Sequence, residues 1–495
     1  MKLQKYKKND LEFVIGIIIF NMIILGNFLN MHYATDTYCV IESGFGYIAK
    51  NAFLWSGRPI TAGVFYLADF FNVSMSTHIL IMACISIMTL SLSVYILFRT
   101  IINLNITREK TIITIVIMLS YITVINFCTI DFLVFSEMGI LCTGLLFSVM
   151  SACEFAKDSR FKYCKIVLFA IIGVLCYQAV LNIYVPLALM IIAIRYKDDI
   201  RKAFLKAFFV LVIYGIAIVF SMIMSNIINS VINLGGRQTI VPDIAHIFKT
   251  YGKYLKFMVI DTLDVGQKYW YILVISIITF IYFIYNFISK SKWINLVYYV
   301  SILLSSILIP TLPLIVQPAE NQYLELRMIL SFGSSIGIML LYTVCSIRKE
   351  YEKTFKLILI ISVLLFISNG QYIVRSSGEM IGTNLLDRNY ADAILNKIEK
   401  YEKDNNMEVR NIAIDYDTSL EFYYHGSKIY RCLNAKALAT DWAITGVLRT
   451  YGNREFTRVE VSQNIHDQYF KGRNWTSFDE EQLVFEGDTL YICIY

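Results

Sequence analysis

Uncharged apolar runs recur along most of this 495-residue chain, and they limit its fold more than any other feature. A helix needs about 20 apolar residues to cross about 30 Å of hydrocarbon. The chain is 57% hydrophobic and only 17% charged, which is unusual for a soluble protein. We therefore expect a mainly α, polytopic transmembrane helix bundle. The runs cover residues 13–35, 70–98, 111–130, 138–153, 166–194, 207–236, 269–289, 293–319, 328–347 and 357–374.

The positions of lysine and arginine predict the topology of this bundle. Cytoplasmic loops of membrane proteins are enriched in both residues. Six basic segments hold 22 of them, whereas the other segments before residue 375 hold eight. Alternating the two sets predicts about eleven helices, with the N-terminus in the cytoplasm and the C-terminal tail outside. The basic segments are residues 1–10, 99–110, 157–165, 195–206, 290–292 and 348–356.

Two of the apolar runs are expected to fold back as hairpins. Residues 166–194 have basic clusters at both ends, so a reversal near Tyr177–Pro186 keeps both clusters on one side. Residues 111–153 are interrupted by Asp131 and Glu137, whose charges must pair or reach water. The outer loops are then 32–74, 128–137, 178–186, 231–268 and 311–327. Within the first loop, ITAGVFYLADFF (60–71) is too short to span and fits an interfacial helix.

The tail is expected to be a small α/β domain outside the membrane, which divides the chain into domains 1–375 and 376–495. It holds 19 of the 38 acidic residues, so the basic excess belongs to the membrane part and does not indicate nucleic-acid binding. Apolar residues of NYADAILNKIEKY (389–401) have the spacing of an amphipathic helix. We also expect a helix over 434–448 and strands over NIAID (411–415) and LYICIY (490–495).

The ten cysteines form no CxxC pair and no pattern of zinc ligands. Most of them lie inside apolar runs, where cysteine is an ordinary packing residue. Cys432 and Cys493 share the polar tail, and the sequence leaves open whether they pair.

Ionisable side chains near membrane depth are costly and suggest function. In this chain they gather on the predicted outer side, although each has a structural alternative as a solvated loop charge, an interfacial anchor or a partner in an ion pair. Asp69, Asn182 and Glu320 lie beside the main candidates. These candidates are Asp36, Glu42 and Arg58 in the first outer loop, Asp131 and Glu137 in the second, Tyr177 and Gln178 in the third, and Arg327 in the last.

This placement favours a reaction at the membrane surface over transport, because transporters tend to hold their charges near the midplane. A lipid-linked substrate presents its phosphate at headgroup level. A carboxylate there can take a proton from an attacking hydroxyl, and an arginine can hold a departing phosphate. We expect Asp36 to be the catalytic base. The expected substrate-binding residues are Arg58, Glu42, Glu137, Asp131, Tyr177, Gln178 and Arg327.

Several short motifs resemble those of the bacterial Gtr-type glucosyltransferases that modify O-antigen, which belong to the polytopic GT-C class. An acid follows the first helix in ATDTY (34–38), and an aromatic loop leads to a Gly-Arg in GFGYIAKNAFLWSGRP (44–59). CYQAVLN (176–182), PAENQYLELR (318–327) and the NYADAILNKIE helix complete the likeness, which spans most of the chain.

The resemblance implies an enzyme of the inner membrane that takes a sugar, glucose in these relatives, from a polyprenyl-phosphate carrier to a surface glycan such as O-antigen. Asp36 matches the acidic base of the class, and Arg58 matches the Gly-Arg. Relatives often carry two adjacent acids where this chain has Thr35 and Asp36. A divalent metal held by Asp36 with Asp131 or Glu137 is therefore in doubt, and oxygen ligands have no diagnostic spacing here.

Three other functions remain open at this stage. A glycan polymerase or ligase could use a polyprenyl-diphosphate-linked oligosaccharide and accommodate it with loop 231–268, which carries Arg237, Lys249, Lys253 and Lys256. A flippase or other transporter would need a charged cavity at mid-depth. A non-catalytic scaffold would work through its tail alone.

Overall fold

The computed structural model describes residues 2–104, 109–197, 199–233, 244–256, 280, 284, 293–312, 325–346, 352–417, 420–425 and 434–494. Most of these residues are helical, and a small sheet lies near the C-terminus. This confirms the expectation of a mainly α chain with a small C-terminal sheet region.

Helices account for most of the described residues up to 405. Seven in the described part are long and apolar enough to cross a membrane, and Lys110–Val124 is a shorter apolar one. The number of about eleven stays a prediction, because residues 257–279, which include part of one apolar run, lie outside the described residues. The helices are α1 (Lys2–Ile24), α2 (Thr35–Ser43), α3 (Phe45–Ile48), α4 (Pro59–Phe70), α5 (Met75–Asn103), α6 (Lys110–Val124), α7 (Phe127–Ile130), α8 (Met138–Cys153), α9 (Lys162–Cys176), α10 (Tyr184–Arg195), α11 (Ile200–Val231), α12 (Ile244–Lys256), α13 (Trp293–Leu308), α14 (Leu330–Ser346) and α15 (Glu352–Asn405).

Both predicted hairpins are present. The α6–α8 run reverses through residues 125–137, where Asp131 and Glu137 lie. The α9–α10 run is interrupted at Tyr177 and by a 3₁₀ turn over Gln178–Ile183. Lys162 at the start of α9 and Arg195 at the end of α10 both donate to the Phe155 carbonyl. The two ends of this hairpin that lie far from its turn therefore meet.

The two ends of the bundle differ: basic residues lie at one end, and the first loop and the α6–α8 turn lie at the other. Asp10 near the start of α1 pairs with Arg99 near the end of α5, at 3.1 Å. The chain then leaves α1 at the far end, where His32 Nε2 lies 2.9 Å from the Leu133 carbonyl and His78 Nε2 lies 3.0 Å from the Ser136 carbonyl. Two buried histidines therefore connect the α6–α8 turn to the first loop, through His32, and to the start of α5, through His78.

The short helix predicted over residues 60–71 is present as α4, and its position at a membrane interface stays a prediction. Pro59 starts it, as expected for a first helical position. Thr61, Ala62 and Phe65 are buried on one face, whereas Phe70 and Phe71 at its end are 76% and 67% exposed. Such exposed aromatics at a helix end suit the membrane interface.

The C-terminal region contains a four-stranded sheet of order β2-β1-β4-β3, with β1 (Asn411–Tyr416) and β4 (Thr489–Ile494) close to the expected strands. β1 runs parallel to both neighbours, β2 (Thr457–Val459) and β4, while β3 (Leu483–Glu486) is antiparallel to β4. The helix expected over 434–448 was partly wrong, because a 3₁₀ turn at Ala437–Ala439 and non-helical residues 440–443 come before α16 (Ile444–Gly452). A last short helix, α17 (Gln463–Ile465), precedes β3.

One helix joins the bundle to this region. α15 runs for 54 residues and passes through 375 and 376 without interruption, so the expected domain boundary falls inside a helix. Its second half buries Ala391, Ile394 and Ile398 against the sheet region, as the amphipathic spacing predicts.

The C-terminal region also packs directly on the first loop. Tyr38 of α2 belongs to the hydrophobic core of the sheet region, and its hydroxyl contacts that of Tyr451 at 3.2 Å. Arg449 of α16 donates to the Glu42 carbonyl at the end of α2, at 2.9 Å. The two helices approach so closely at Gly446 that a Cβ there would lie 2.2 Å from the Tyr38 carbonyl oxygen.

We predict that Gly446→Ala separates α16 from α2 and lowers the free energy of unfolding by about 1–3 kcal/mol, the usual range for overpacking. Gly378→Ala is the matched control, since it lies in α15 with no heavy atom within 4 Å of its added Cβ. The free energy of unfolding of Gly378→Ala is expected to rise by up to about 1 kcal/mol, because alanine has the higher helix propensity. Thermal unfolding of the purified proteins measures both, and equal midpoints would contradict the close contact.

Candidate functional site

Five charged side chains from four parts of the chain meet at the end of the bundle opposite its basic end. Asp36 interacts electrostatically with Arg58 and Arg327, and Glu137 interacts with the same two arginines and with Asp36. Asp131 forms an ion pair with Arg327. All five were expected from the sequence to be site residues.

Asp36 lies in the first turn of α2, where the N–H groups of a helix start favour negative charge. Its side chain is exposed to solvent, yet surrounding protein withdraws enough water to raise its pKa above the ordinary value. The nearby Arg327 and Arg58 charges and a hydrogen bond from Trp442 oppose this rise without cancelling it. The carboxylate is thus reachable from solvent although protein surrounds it, and we call this position, with Arg58 and Arg327 beside it, the Asp36 recess.

The loop before α4 holds Arg58 in place from two directions. Gln178 Nε2 donates to the carbonyls of Ser56 and Gly57, at 2.9 and 3.0 Å. Gly57 has φ +75°, and a Cβ there would lie 3.0 Å from the Ser225 side chain, so both conformation and space require glycine. This explains the Gly-Arg pair that the sequence singled out.

The Arg58 guanidinium lies over the Tyr177 ring, 4.5 Å from its centroid. Its Nε is buried and has no hydrogen-bond partner among the described residues. A buried N–H without an acceptor is costly, so this arginine is suited to an additional anionic ligand.

Arg327 is held by three groups. Asp131 Oδ2 accepts from both its backbone N–H and its Nη1, each at 3.2 Å. Its guanidinium lies over the Phe135 ring, 4.4 Å from the centroid. The neighbouring Met328 carbonyl accepts from Asn182 Nδ2 at 3.2 Å. Asp131 therefore positions Arg327, and in the described structure it is completely buried.

Glu137 is also largely enclosed, with 7% of its surface exposed. Burial raises its pKa, and the nearby Asp36 charge raises it further, while Arg58 and Arg327 lower it. Two acids that share a pair of arginines in this way favour a state in which one holds a proton.

Other expected residues do not join these charges. Glu42 lies near the C-terminal end of α2, six residues after Asp36, and its carbonyl accepts from Arg449. Asp69 is exposed at the end of α4, facing Gly46. Glu320, Arg237 and Cys432 lie outside the described residues, and Lys249, Lys253 and Lys256 are exposed on α12. Their roles stay predictions.

Tyr177, Gln178 and Asn182 serve as supports in this geometry. Together they place one aromatic ring and two amides against the segments that carry the arginines. The sequence had assigned Tyr177 and Gln178 to substrate binding, which stays a prediction.

Sequence reasoning missed Trp442, which belongs to the C-terminal region yet donates its hydrogen bond to Asp36. Its separation from Asp36 by some four hundred residues leaves no periodic or motif signal in the sequence. Only the packing of α16 on α2 brings it there.

The donor groups of this site do not fit a metal centre. Among the residues that the structure describes, no three His, Cys, Asp or Glu side chains converge as metal ligands. Arg58 and Arg327 already supply positive charge to both Asp36 and Glu137. We therefore derive no step through a metal ion.

Comparison of the chain with protein-family models, curated proteins and solved structures finds no match.

The Asp131–Arg327 pair should behave as a coupled unit. Asp131→Asn is expected to lower the free energy of unfolding by about 3 kcal/mol, because it leaves a largely buried guanidinium without its counter-charge. Arg327→Met should lower the free energy of unfolding by at least as much. The double variant should lose clearly less than the sum of the two single losses. Unfolding in mixed detergent micelles measures the cycle, and strictly additive losses would show that the pair contributes nothing.

Proposed function

We propose that the protein is an integral membrane glycosyltransferase that moves a sugar, glucose in the first instance, from a polyprenyl-phosphate carrier to a cell-surface glycan. The observation that carries this proposal is the recess at Asp36, where an accessible carboxylate lies beside two arginines. A base for a hydroxyl and two cations for a phosphate are the groups that this transfer needs.

The reaction follows from these groups. Asp36 takes the proton of an acceptor hydroxyl, and the hydroxyl oxygen forms a bond to the anomeric carbon of the donor sugar. The bond between that carbon and the phosphate oxygen breaks, and its electron pair leaves with the polyprenyl phosphate. Attack opposite to the leaving group inverts the anomeric centre. The proton remains on Asp36 until the product leaves.

Arg58 and Arg327 would stabilise the charge that develops on the departing phosphate. Arg58 supports this role best, since its buried Nε lacks an acceptor while its ring contact with Tyr177 fixes the guanidinium plane. Arg327 already has Asp131 as a partner. Its remaining positive charge would act at longer range.

The raised pKa of Asp36 supports its role as base. A general base works best when its pKa lies near the working pH, and burial moves the carboxyl in that direction. Glu137, with its pKa also raised, would limit the local charge by holding a proton when the phosphate is bound.

The location of the site supports a reaction outside the cytoplasm. Lys162 and Arg195 lie together at one end of the bundle, and the charged recess lies at the other. Basic residues favour the cytoplasmic side. We therefore place the N-terminus in the cytoplasm, and the recess with the C-terminal region on the outer face of a bacterial inner membrane.

Asp36→Asn is predicted to lower sugar transfer by about 10²–10⁴-fold, the usual contribution of a general base, while expression and membrane insertion persist. Mass spectrometry of surface glycans should show an added hexose with the wild-type gene and none with the variant. Asp69→Asn, an exposed acid of the same loop, is the control and should transfer normally. Full transfer by Asp36→Asn would remove Asp36 as the base.

Arg58→Gln should reduce kcat/KM for the donor by about 10²-fold or more and shift the pH–rate profile. Arg58 lowers the pKa of Asp36, so its loss raises that pKa further. Because Asp36 acts only when ionised, the acidic limb of the profile should move to higher pH. Arg410→Gln, an exposed arginine beside Glu408, serves as control. An unchanged profile and unchanged donor KM would contradict the assignment.

A further inference from the structure

Trp442 occupies an unusual position for a large aromatic side chain. Its indole N–H is the hydrogen-bond donor that faces the Asp36 carboxylate, yet 51% of its surface is exposed. One edge of the ring is thus fixed at the proposed base while much of the rest remains open to solvent. Exposed aromatics held at a polar recess are common in ligand sites.

A rim of polar groups lies next to this ring. Asp441, the preceding residue, pairs with Arg458 at 2.6 Å, and both side chains are partly exposed. The Tyr416 hydroxyl lies beside the Asp441 backbone and the Arg458 charge, and Tyr416 is 38% exposed. The rim thus offers a carboxylate, a guanidinium and a hydroxyl within one small area.

The sheet topology points to the same place. Tyr416 is the last residue of β1, which lies between two parallel neighbours, β2 and β4. Ligands of open α/β sheets bind outside the carboxyl ends of parallel strands, where the strand order changes direction. The carboxyl end of β1 is such a position, and it faces the Trp442 side of the domain.

We propose that Trp442, Asp441, Arg458 and Tyr416 form the acceptor subsite, which binds a sugar ring of the surface glycan and presents its hydroxyl to Asp36. The subsite rests on the proposed function, since it gives that reaction its second substrate. Trp442 is a binding residue through its ring and a positioning residue through its N–H.

The chemistry of the rim favours a sugar over other ligands. A pyranose has an apolar C–H face, which packs on an aromatic ring, and an edge of hydroxyls, which both donate and accept hydrogen bonds. An Asp–Arg pair satisfies both kinds of hydroxyl contact. A phosphate alone would be repelled by Asp441, and an acyl chain would remove water from the Asp441–Arg458 pair without replacing the hydrogen bonds to that water.

Two functions of Trp442 can be separated by substitution. Trp442→Phe keeps an aromatic platform and removes the N–H, whereas Trp442→Ala removes both. Phe422→Ala is the matched control, because Phe422 belongs to the same domain and has the same exposed fraction, 51%. The charged and titratable groups that face Asp36 are Arg58, Arg327, Glu137 and Cys39, and none of these variants changes them.

The test uses full-length protein in lipid nanodiscs and glycan fragments isolated from cells that lack the gene. Binding of the fragments is followed by saturation-transfer NMR, and transfer is followed from a polyprenyl-phosphate glucose donor. Trp442→Ala should weaken fragment binding about tenfold or more with little change in donor KM. Trp442→Phe should bind fragments nearly as wild type, with the acidic limb of its pH–rate profile moved upward.

The outcomes separately test the acceptor subsite, the positioning role of Trp442 and the proposed function. Fragment binding by Trp442→Ala that equals binding by Phe422→Ala would overturn the subsite. An unmoved pH profile in Trp442→Phe would remove the positioning role and leave the ring contact. A wild-type protein that binds fragments in a Trp442-dependent manner without transferring sugar would overturn the proposed function and keep the subsite.

Discussion

The need to neutralise charge against an apolar bundle governs this end of the molecule. Ionised groups that lose water must find counter-charges, and a buried ion pair is tolerated only with good geometry. Asp131 and Arg327 meet that condition in part, because Asp131 Oδ2 accepts two hydrogen bonds while Oδ1 is buried without a hydrogen-bond partner among the described residues. The remaining charges do not balance, because Arg58 supplies one positive charge for two acids, Asp36 and Glu137. One proton held by either acid makes this remainder neutral. In the reaction that we propose, the phosphate of the donor would add negative charge beside Arg58, whose Nε has no acceptor among the described residues.

The break between α9 and α10 makes this arrangement possible. Non-helical backbone at membrane depth is tolerated only where protein covers it, and residues 177–183 are mostly buried. The same short segment supports both arginines, because Gln178 holds the loop of Arg58 and Asn182 holds the carbonyl next to Arg327. A single deviation from helical structure therefore fixes the distance between two cations that lie far apart in sequence. A continuous helix in its place could not offer its amides in this way.

Much of the bundle and of its charged end follows from local patterns. Apolar runs and costly ionisable residues are properties of short segments, so Asp36, Arg58 and Arg327 could be selected without coordinates. The continuity of α15 could not be predicted from the sequence. A change from apolar to polar composition indicates a membrane–water interface, but it does not show whether a helix ends there. The contribution of Trp442 was equally hidden, since it depends on the contact of Gly446 with the Tyr38 backbone. Distant packing of this kind has no periodic trace in the sequence.

The contact between α16 and α2 gives the second region a part in the chemistry that we propose. A lipid-linked donor approaches from the membrane, whereas a surface glycan approaches from water, so the two substrates need different walls around one base. The bundle supplies arginines on the lipid side, and the sheet region supplies an aromatic ring with a polar rim on the other. α15 joins these walls through an unbroken helix, and α2 is packed by both. Rigid connection matters here because reacting atoms must be held within a few tenths of an ångström to gain from proximity. A tail on a flexible linker would forfeit that gain, which is a physical reason for α15 to continue without a break from the apolar bundle into the sheet region.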